Sequence, residues 1–412
     1  MTTTHGYGST ASREQATLSG LKVLELGQLL AGPFAGSLLA DLGADVIHVE
    51  DPINGDPSRR MGPPKDDVYL WWKVSGRNKR SVGLDLRNSE GQGLAKKLVV
   101  WADVVVTNIR VGTLESWGLD FPSLQALNPK IVVLQVSGYG ARTTKKNAPG
   151  FGKVGEARSG LVHITGFPGG PPVHAGFSHA DTITGLMGAF AIQCAMYRKL
   201  TDPDYTGEWI DLAVDETLFR LIEWQVVIYD QLGIIPERIG NGISGAPSSV
   251  VNAFQTADGR WLTVTSGNVR TVQNMAVLVG EPLEDFSTPA LIAINRPRLE
   301  DLLAQWIAKH DTEECQAEMD RIGVVAAPVL DVADIVADET YRERGNIVTV
   351  EDRDLGPLRM QGVVPRLTTH TGQVWTEAPR LGEHSEEVFK GVLGIDDETY
   401  ASLVERGVIG ES

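Results

Sequence analysis

The stretch AGFSHADTITGLMGAF, residues 175–190, holds a single acid, Asp181. Its neighbours are small, apolar or hydroxyl-bearing, and no lysine or arginine lies within five positions on either side. A carboxylate placed this way has two uses. It can cap the helix that 182–190 predicts, accepting backbone N–H groups at the positive end of the helix dipole. It can also do chemistry; caps are the commoner case, so the rest of the chain has to decide. His174 and His179 lie nearby, but two imidazoles without a third ligand are a poor metal site, and no metal is expected. Basic residues gather at Arg59-Arg60, at Arg77-Asn78-Lys79-Arg80, and at Arg142 with Lys145-Lys146. Each cluster alone reads as a solvated face, although local clustering is also what an anionic small molecule needs.

The elements that must position Asp181 are legible along the chain. Residues 21–26 (LKVLEL) predict a strand, and GQLLAGPFAGSLLADLGA a helix, with Pro33 as its first residue and Gly43 ending it. Residues 46–49 (VIHV) predict a second strand closed by Glu50, so a βαβ unit and a parallel sheet follow. Further strands are predicted at 81–86, 104–106, 131–136 and from Gly207, with a helix over Ser89–Trp101. This is an α/β chain with a Rossmann-like large domain. The fingerprint G-x-G-x-x-G is absent, because the first loop reads Gly27-Gln-Leu-Leu-Ala-Gly32-Pro-Phe-Ala-Gly36; a nicotinamide or flavin site is not expected. Long helices are predicted over 186–199 and 216–232. A hairpin over 254–265 turns at Asp258-Gly259, followed by helices at 272–280 and 298–309. Strand-like patterns return at 347–350 and 358–361.

The 412 residues suffice for two cores, and the chain is organised here as a disordered tail (1–18), a large domain (19–224 plus 336–412), and an inserted smaller α+β domain (225–335). The tail has no apolar core of the kind a signal peptide or anchor shows. No apolar run reaches the roughly 18 residues of a membrane span. The net charge of −16, from 37 basic and 53 acidic residues, would repel a duplex or an anionic bilayer, so neither nucleic acid nor membrane is an expected partner. Cys194 and Cys315 are the only cysteines and show no framework spacing, which points to a reducing cytoplasm.

In the same order along the chain, LLAGPFAGSLLADLGADVIHVE, RNKRSVGLDLR, SGYG and the G-x-x-x-x-D-x-x-x-G between Gly176 and Gly185 resemble the class III CoA-transferases. That family includes formyl-CoA transferases and α-methylacyl-CoA racemases. The resemblance runs over 18–389 and takes in GEWIDLAVDETLF, ADGRWLTV and APRLGEH. Each motif is weak alone, and several in one order are strong.

The resemblance puts Asp181 on the family's catalytic aspartate, which attacks the thioester carbonyl of an acyl-CoA to give an aspartyl–acyl anhydride and CoA thiolate. The thiolate then attacks the aspartyl carbonyl, and an acceptor carboxylate takes over the CoA. An unpaired, partly desolvated carboxylate suits this role, because a tight salt bridge would blunt it. Gly176, Ala180 and Gly185 would leave room for the thioester. The resemblance further implies CoA contacts at Leu30 and Ala31, at Leu84 and Arg87 of GLDLR, at Asn108-Ile109-Arg110, and at Phe151-Gly152. CoA and acyl-CoA enter as substrates, with no tightly bound cofactor.

Departures from the family pattern matter as much. Asp51 and Ser116 stand where formyl-CoA transferases carry arginines, so the phosphate grip must differ. Phe151 stands where racemases carry a histidine base, leaving no agent for proton exchange at Cα. Phe151-Gly152 also replaces a Tyr-Glu pair, and Ser266-Gly267-Asn268 a tetraglycine loop, of the formyl-CoA transferases. The expected activity is therefore transfer of CoA from an acyl-CoA, a dicarboxylyl-CoA such as succinyl-CoA, to a carboxylic acid. The alternatives are an acyl-CoA racemase or epimerase and a non-catalytic CoA-binding protein. The resemblance also implies an interlocked-ring homodimer. The run Leu221, Ile222, Trp224, Val226 and Val227 is apolar enough to need a partner surface.

Overall fold

The computed structural model describes residues 12–412, which fall into two compact units. The larger comprises 12–159, Ala175–Leu221 and Glu339–Ser412; the smaller comprises Gly160–His174 and Ile222–Asp338.

Six parallel strands form the large unit's sheet: β1 (Lys22–Glu25), β2 (Asp45–Glu50), β3 (Lys79–Leu84), β4 (Val104–Thr107), β5 (Val132–Ser137) and β6 (Glu208–Ala213). Their order is β3-β2-β1-β4-β5-β6, and Ile409–Gly410 adds a short antiparallel strand beside β3. The central strands are near-continuous apolar runs because both faces are covered; β4 is buried at every position. Helix α1 (Ala31–Asp41) follows β1, and α2 (Ser89–Trp101) follows β3. Asn88 caps α2, which buries Leu94, Ala95, Leu98 and Val99 on one stripe against Leu24, Val82 and Val105 of the sheet. Phe389, Tyr400 and Leu403 close the same core from the C-terminal segment.

Two more helices frame the site: α3 (Gly152–Arg158) and α4 (His179–Thr201). The glycines of α4 have a packing reason. A Cβ at Gly185 would stand 2.9 Å from Cβ of Phe34 and 3.0 Å from the Ala31 carbonyl, and one at Gly188 would stand 2.6 Å from Leu134. Helix α4 therefore lies at backbone distance on α1 and over β5. Because β1 feeds β2 on one side while β4 lies on the other, the sheet changes direction between β1 and β4. The crevice beyond the carboxyl ends of these strands is where such sheets bind ligands.

In the small unit, β7 (Val251–Gln255), β8 (Trp261–Thr265) and β9 (Val325–Pro328) form an antiparallel sheet with β8 in the middle. The Asp258-Gly259 turn is present, with Gly259 at φ +80°. Phe254, Leu262 and Val264 pack on Val272, Met275, Leu299, Leu303 and Ile307.

Several expectations need correction. Residues 1–11 of the expected tail lie outside the described residues, but 12–18 are folded. Arg13–Gln15 form a 3-10 turn, and the Thr17 hydroxyl donates to the His370 carbonyl at 2.7 Å. Residues 160–174, expected in the large domain, belong to the small unit, where Arg238 donates to the His163 carbonyl and Gly240 N–H to that of Gly166. Helix α1 starts two residues before Pro33, which sits harmlessly in the first turn because no N–H is needed there. The single helix expected over 216–232 is two, Val214–Leu221 and α5 (Gln225–Leu232), broken where Glu223 takes φ +54°. The helix expected to begin at 298 runs from Pro289 to Ile307, through Pro297. No helix among the described residues is long and apolar enough to cross a membrane.

Candidate active site

The carboxyl ends of the strands open onto a cleft of about 520 Å³ contained in the large unit. Leu30 and Ala31 line it after β1, Asp51 after β2, Leu84 and Arg87 at the end of β3, Asn108, Ile109 and Arg110 after β4, and Ser137 and Gly138 after β5. Phe151 and Asp181 complete it. Residues scattered over 150 positions by the sequence reading thus share one cavity. Gly152 does not line the cleft but stands behind Asp181. Gln28, Leu29, Trp117 and Lys146 also line it, and their types and spacing carry no signal that would have marked them.

Asp181 is the third residue of α4, not its cap; the capping position is Ser178, whose side chain makes no cap bond. The first turn of the helix still favours its negative charge. No hydrogen bond or ion pair reaches the Asp181 carboxylate among the described residues. The side chain rests on backbone: a Cβ at Gly152 would stand 2.5 Å from Asp181 Oδ2. Lys153 ties α3 to the segment that leads into α4, its Nζ donating to the carbonyls of Ala175 at 2.7 Å and Phe177 at 3.0 Å while pairing with Glu156 at 2.9 Å. Farther along α4, the Thr184 hydroxyl bonds the Ala180 carbonyl and meets the Thr217 hydroxyl at 3.0 Å.

Burial, and then the nearby Glu156 carboxylate, push the Asp181 carboxyl up to about 6, with Lys153 opposing. The group is therefore ionised at neutral pH, yet more basic and more nucleophilic than an ordinary carboxylate. With the ionised carboxylate as the attacking group, activity should be lost as pH falls through about 6. Removing the second anion with Glu156→Gln should move that acid limb to lower pH, and Lys153→Met should move it higher. Rate profiles of the three proteins between about pH 4.5 and 8 check this; coincident limbs would assign the titration to another group.

The cations of the cleft are unevenly committed. Arg87 is largely exposed, with Nε 2.7 Å from Asp85 Oδ1 and Nη2 3.0 Å from Asp51 Oδ2. Asp51 thus serves as the partner of Arg87. Lys146 pairs with Glu115 at 2.8 Å, and Arg110 forms no ion pair among the described residues. Ser116 donates to the Thr113 carbonyl and lies outside the cleft lining. Asn108 commits its amide to the β1–α1 loop, accepting the Gln28 N–H at 2.9 Å and donating to the Gln28 carbonyl at 2.7 Å. The cluster at 77–80 proves structural. Arg77 pairs with Asp41 and Lys79 with Glu25 in buried ion pairs, and Arg80 pairs with Asp45. Among the described residues, no group of three His, Cys, Asp or Glu could hold a metal ion.

Comparison with known proteins adds an independent line. Residues 18–385 match CoA-transferase family III. The chain is 37% identical over 406 residues to the succinyl-CoA--D-citramalate CoA-transferase of Chloroflexus aurantiacus, covering 97% of this chain and 100% of that protein. It is 34% identical to the alpha subunit of succinyl-CoA--L-malate CoA-transferase from Chloroflexus aurantiacus, over 96% of this chain and 94% of that one. The crystal structure of a CAIB/BAIF family protein from Brucella suis superposes with a TM-score of 0.79 at 31% identity, over 92% of this chain and 99% of that one. A nearly full-length family match and near-complete alignment to such relatives leave one assignment: the chain belongs to CoA-transferase family III and is a CoA-transferase.

Proposed function

We propose that this enzyme moves CoA from succinyl-CoA to a dicarboxylic acid, with Asp181 as covalent nucleophile. The observation that carries this reading is the half-buried Asp181 carboxylate at the wall of the cleft, with no hydrogen bond or ion pair among the described residues. An Asp181 oxygen attacks the thioester carbonyl, the C–S bond breaks, and CoA leaves as thiolate, giving an aspartyl–succinyl anhydride. The thiolate attacks the aspartyl carbonyl and expels succinate, leaving an aspartyl–CoA thioester. The acceptor carboxylate repeats the exchange in reverse, so the new acyl-CoA departs and Asp181 is regenerated. Arg87, Arg110 and Lys146 are the groups available to the phosphates of CoA, with Leu30, Ala31, Leu84 and Ile109 beside its apolar portion. The names of the relatives support succinyl-CoA as donor and a hydroxylated dicarboxylate as acceptor. Racemisation is not favoured, because Phe151 offers no acid or base on the cleft.

A panel of acyl-CoA donors and acids, read by mass spectrometry of the CoA products, tests the reading. Succinyl-CoA with D-citramalate or L-malate should yield the acceptor thioester. A panel with no dicarboxylyl thioester, or exchange of the α-proton at turnover rate, would overturn it.

The same reading includes an intertwined homodimer in a reducing cytoplasm. Helix α5 buries none of its own residues: Val226, Val227, Tyr229 and Leu232 are exposed, as are Ile234 and Ile235 after it. An obligate interface of more than roughly 2,000 Å² would cover such a surface. Sedimentation at nanomolar concentration should then find no folded species near 44.5 kDa.

A further inference from the structure

Behind the cleft lies a row of buried charges that the reaction above does not use. His48 on β2 is fully buried, with Nδ1 2.5 Å from Oε1 of Glu25 on β1. Its Nε2 lies 3.4 Å from Oδ2 of Asp56, at ion-pair distance though off the hydrogen-bond direction. Both ring nitrogens therefore face carboxylates. A neutral imidazole has one N–H and one lone pair, so either tautomer would aim a lone pair at an anion; only the imidazolium suits both sides. The other groups around the ring are already engaged. Lys79 Nζ is 3.0 Å from Glu25 Oε1 and 2.8 Å from the Pro33 carbonyl, and Glu50 pairs with Arg59 and accepts from the Ser81 hydroxyl. The Trp72 ring lies 5.5 Å away, centroid to centroid. Burial opposes the charge on His48, but the Asp56 and Glu25 carboxylates outweigh it and raise the group to about 9.

Asp56 passes this charge on to the cleft. Its carboxylate accepts the Leu29 N–H at 3.1 and 3.2 Å and the Ser58 N–H at 2.7 Å. Leu29 has φ +65°, a left-handed conformation that a β-carbon makes unfavourable, and it lines the cleft between Gln28 and Leu30. Asn108 pins Gln28, and Asp56 pins Leu29.

We propose that His48 is a positioning residue for the substrate cleft. Protonated between Glu25 and Asp56, it fixes the carboxylate that holds the Leu29 N–H, and so keeps the turn 28–31 in the shape that receives an acyl-CoA. The inference rests on the reading of this cleft as the acyl-CoA site. When the proton leaves, the Nε2 lone pair faces Asp56, the carboxylate turns, and the strained turn relaxes. The proton is present below about pH 9, so the turn is held at neutral pH and released as pH rises through that value.

The test uses the full chain and desulfo-CoA, which lacks the titrating thiol. Leu29 amide exchange, corrected for intrinsic base catalysis, and desulfo-CoA affinity are followed from neutral to about pH 10 in wild type, His48→Gln and His48→Gln/Asp56→Asn. Wild type should lose Leu29 protection, and about tenfold in affinity, as pH rises through the His48 value, the scale of one buried hydrogen bond. His48→Gln should be weak and flat across the range. The double variant should recover affinity without the pH dependence, because the amide introduced at position 56 can accept from the Leu29 N–H and donate to the amide introduced at position 48. A His48→Gln protein matching wild type in both readouts would overturn the proposal. Should that variant not fold, the wild-type series decides alone: protection and affinity unchanged to about pH 10 overturn it. A wild type that ignores desulfo-CoA at neutral pH sinks the acyl-CoA reading instead, while Leu29 exchange still reports on the turn.

Discussion

Asp181→Ala is expected to lose at least about a thousandfold in CoA transfer, the scale on which removal of a covalent nucleophile acts. The pocket itself should survive, because the Asp181 carboxylate makes no hydrogen bond among the described residues and nothing is orphaned by its loss. The stability effect should run the opposite way. Burial and Glu156 raise the carboxyl to about 6, so the folded protein holds this proton more tightly than the unfolded chain does. Above that pH the ionised group works against folding, and stability contributed by the protonated form is lost as pH rises from about 4 to 6. Asp181→Asn should therefore melt a few degrees higher than wild type at neutral pH while remaining inactive. Thermal melts and turnover on the same preparations check both halves. An active alanine variant would remove Asp181 from the mechanism.

The second large effect is expected from one methyl group. Gly152→Ala places a Cβ 2.5 Å from Oδ2 and 2.9 Å from Cγ of Asp181. The backbone has no reason to yield, since Gly152 begins α3, where alanine is a better helix former than glycine. What gives way is the Asp181 rotamer, so in the proposed mechanism the carboxylate swings from its attacking position. We expect kcat to fall by about a hundredfold, as misplacement of a reacting group by roughly 1 Å does, with desulfo-CoA affinity and melting temperature close to wild type. Normal kcat would mean that the carboxylate reacts from another rotamer.

Much of this architecture could be read from the chain, for identifiable reasons. Strands buried on both faces appear as apolar runs such as VVVT and VVLQVS, and α2 carries its own cap and stripe. The break at Glu223 could not be read. LFRLIEWQVVIYDQL keeps its helical pattern without glycine or proline, and a glutamate at φ +54° has no signature in the local sequence. The sequence offers Asp181 as the cap of its helix, whereas the structure makes it the third residue, because Ser178 and Asp181 are both good caps three residues apart. The part played by Lys153 left no trace, since a lysine that grips two backbone carbonyls has no sequence signature. The clusters at 59–60 and 77–80 read as surface in the sequence, because only the fold brings Arg59, Arg77 and Lys79 against Glu50, Asp41 and Glu25.

The pairing of Asp51 with Arg87 makes two distant positions one electrostatic unit. The two side chains meet at 3.0 Å from the ends of neighbouring strands, so their charges are read together although 36 positions separate them. An arginine introduced at 51 alone would confront Arg87 and leave it Asp85 as counter-ion; a neutral residue at 87 alone would leave Asp51 without that cation. Either single step changes the charge that this corner presents to the cleft. A change at either position is therefore felt at the other.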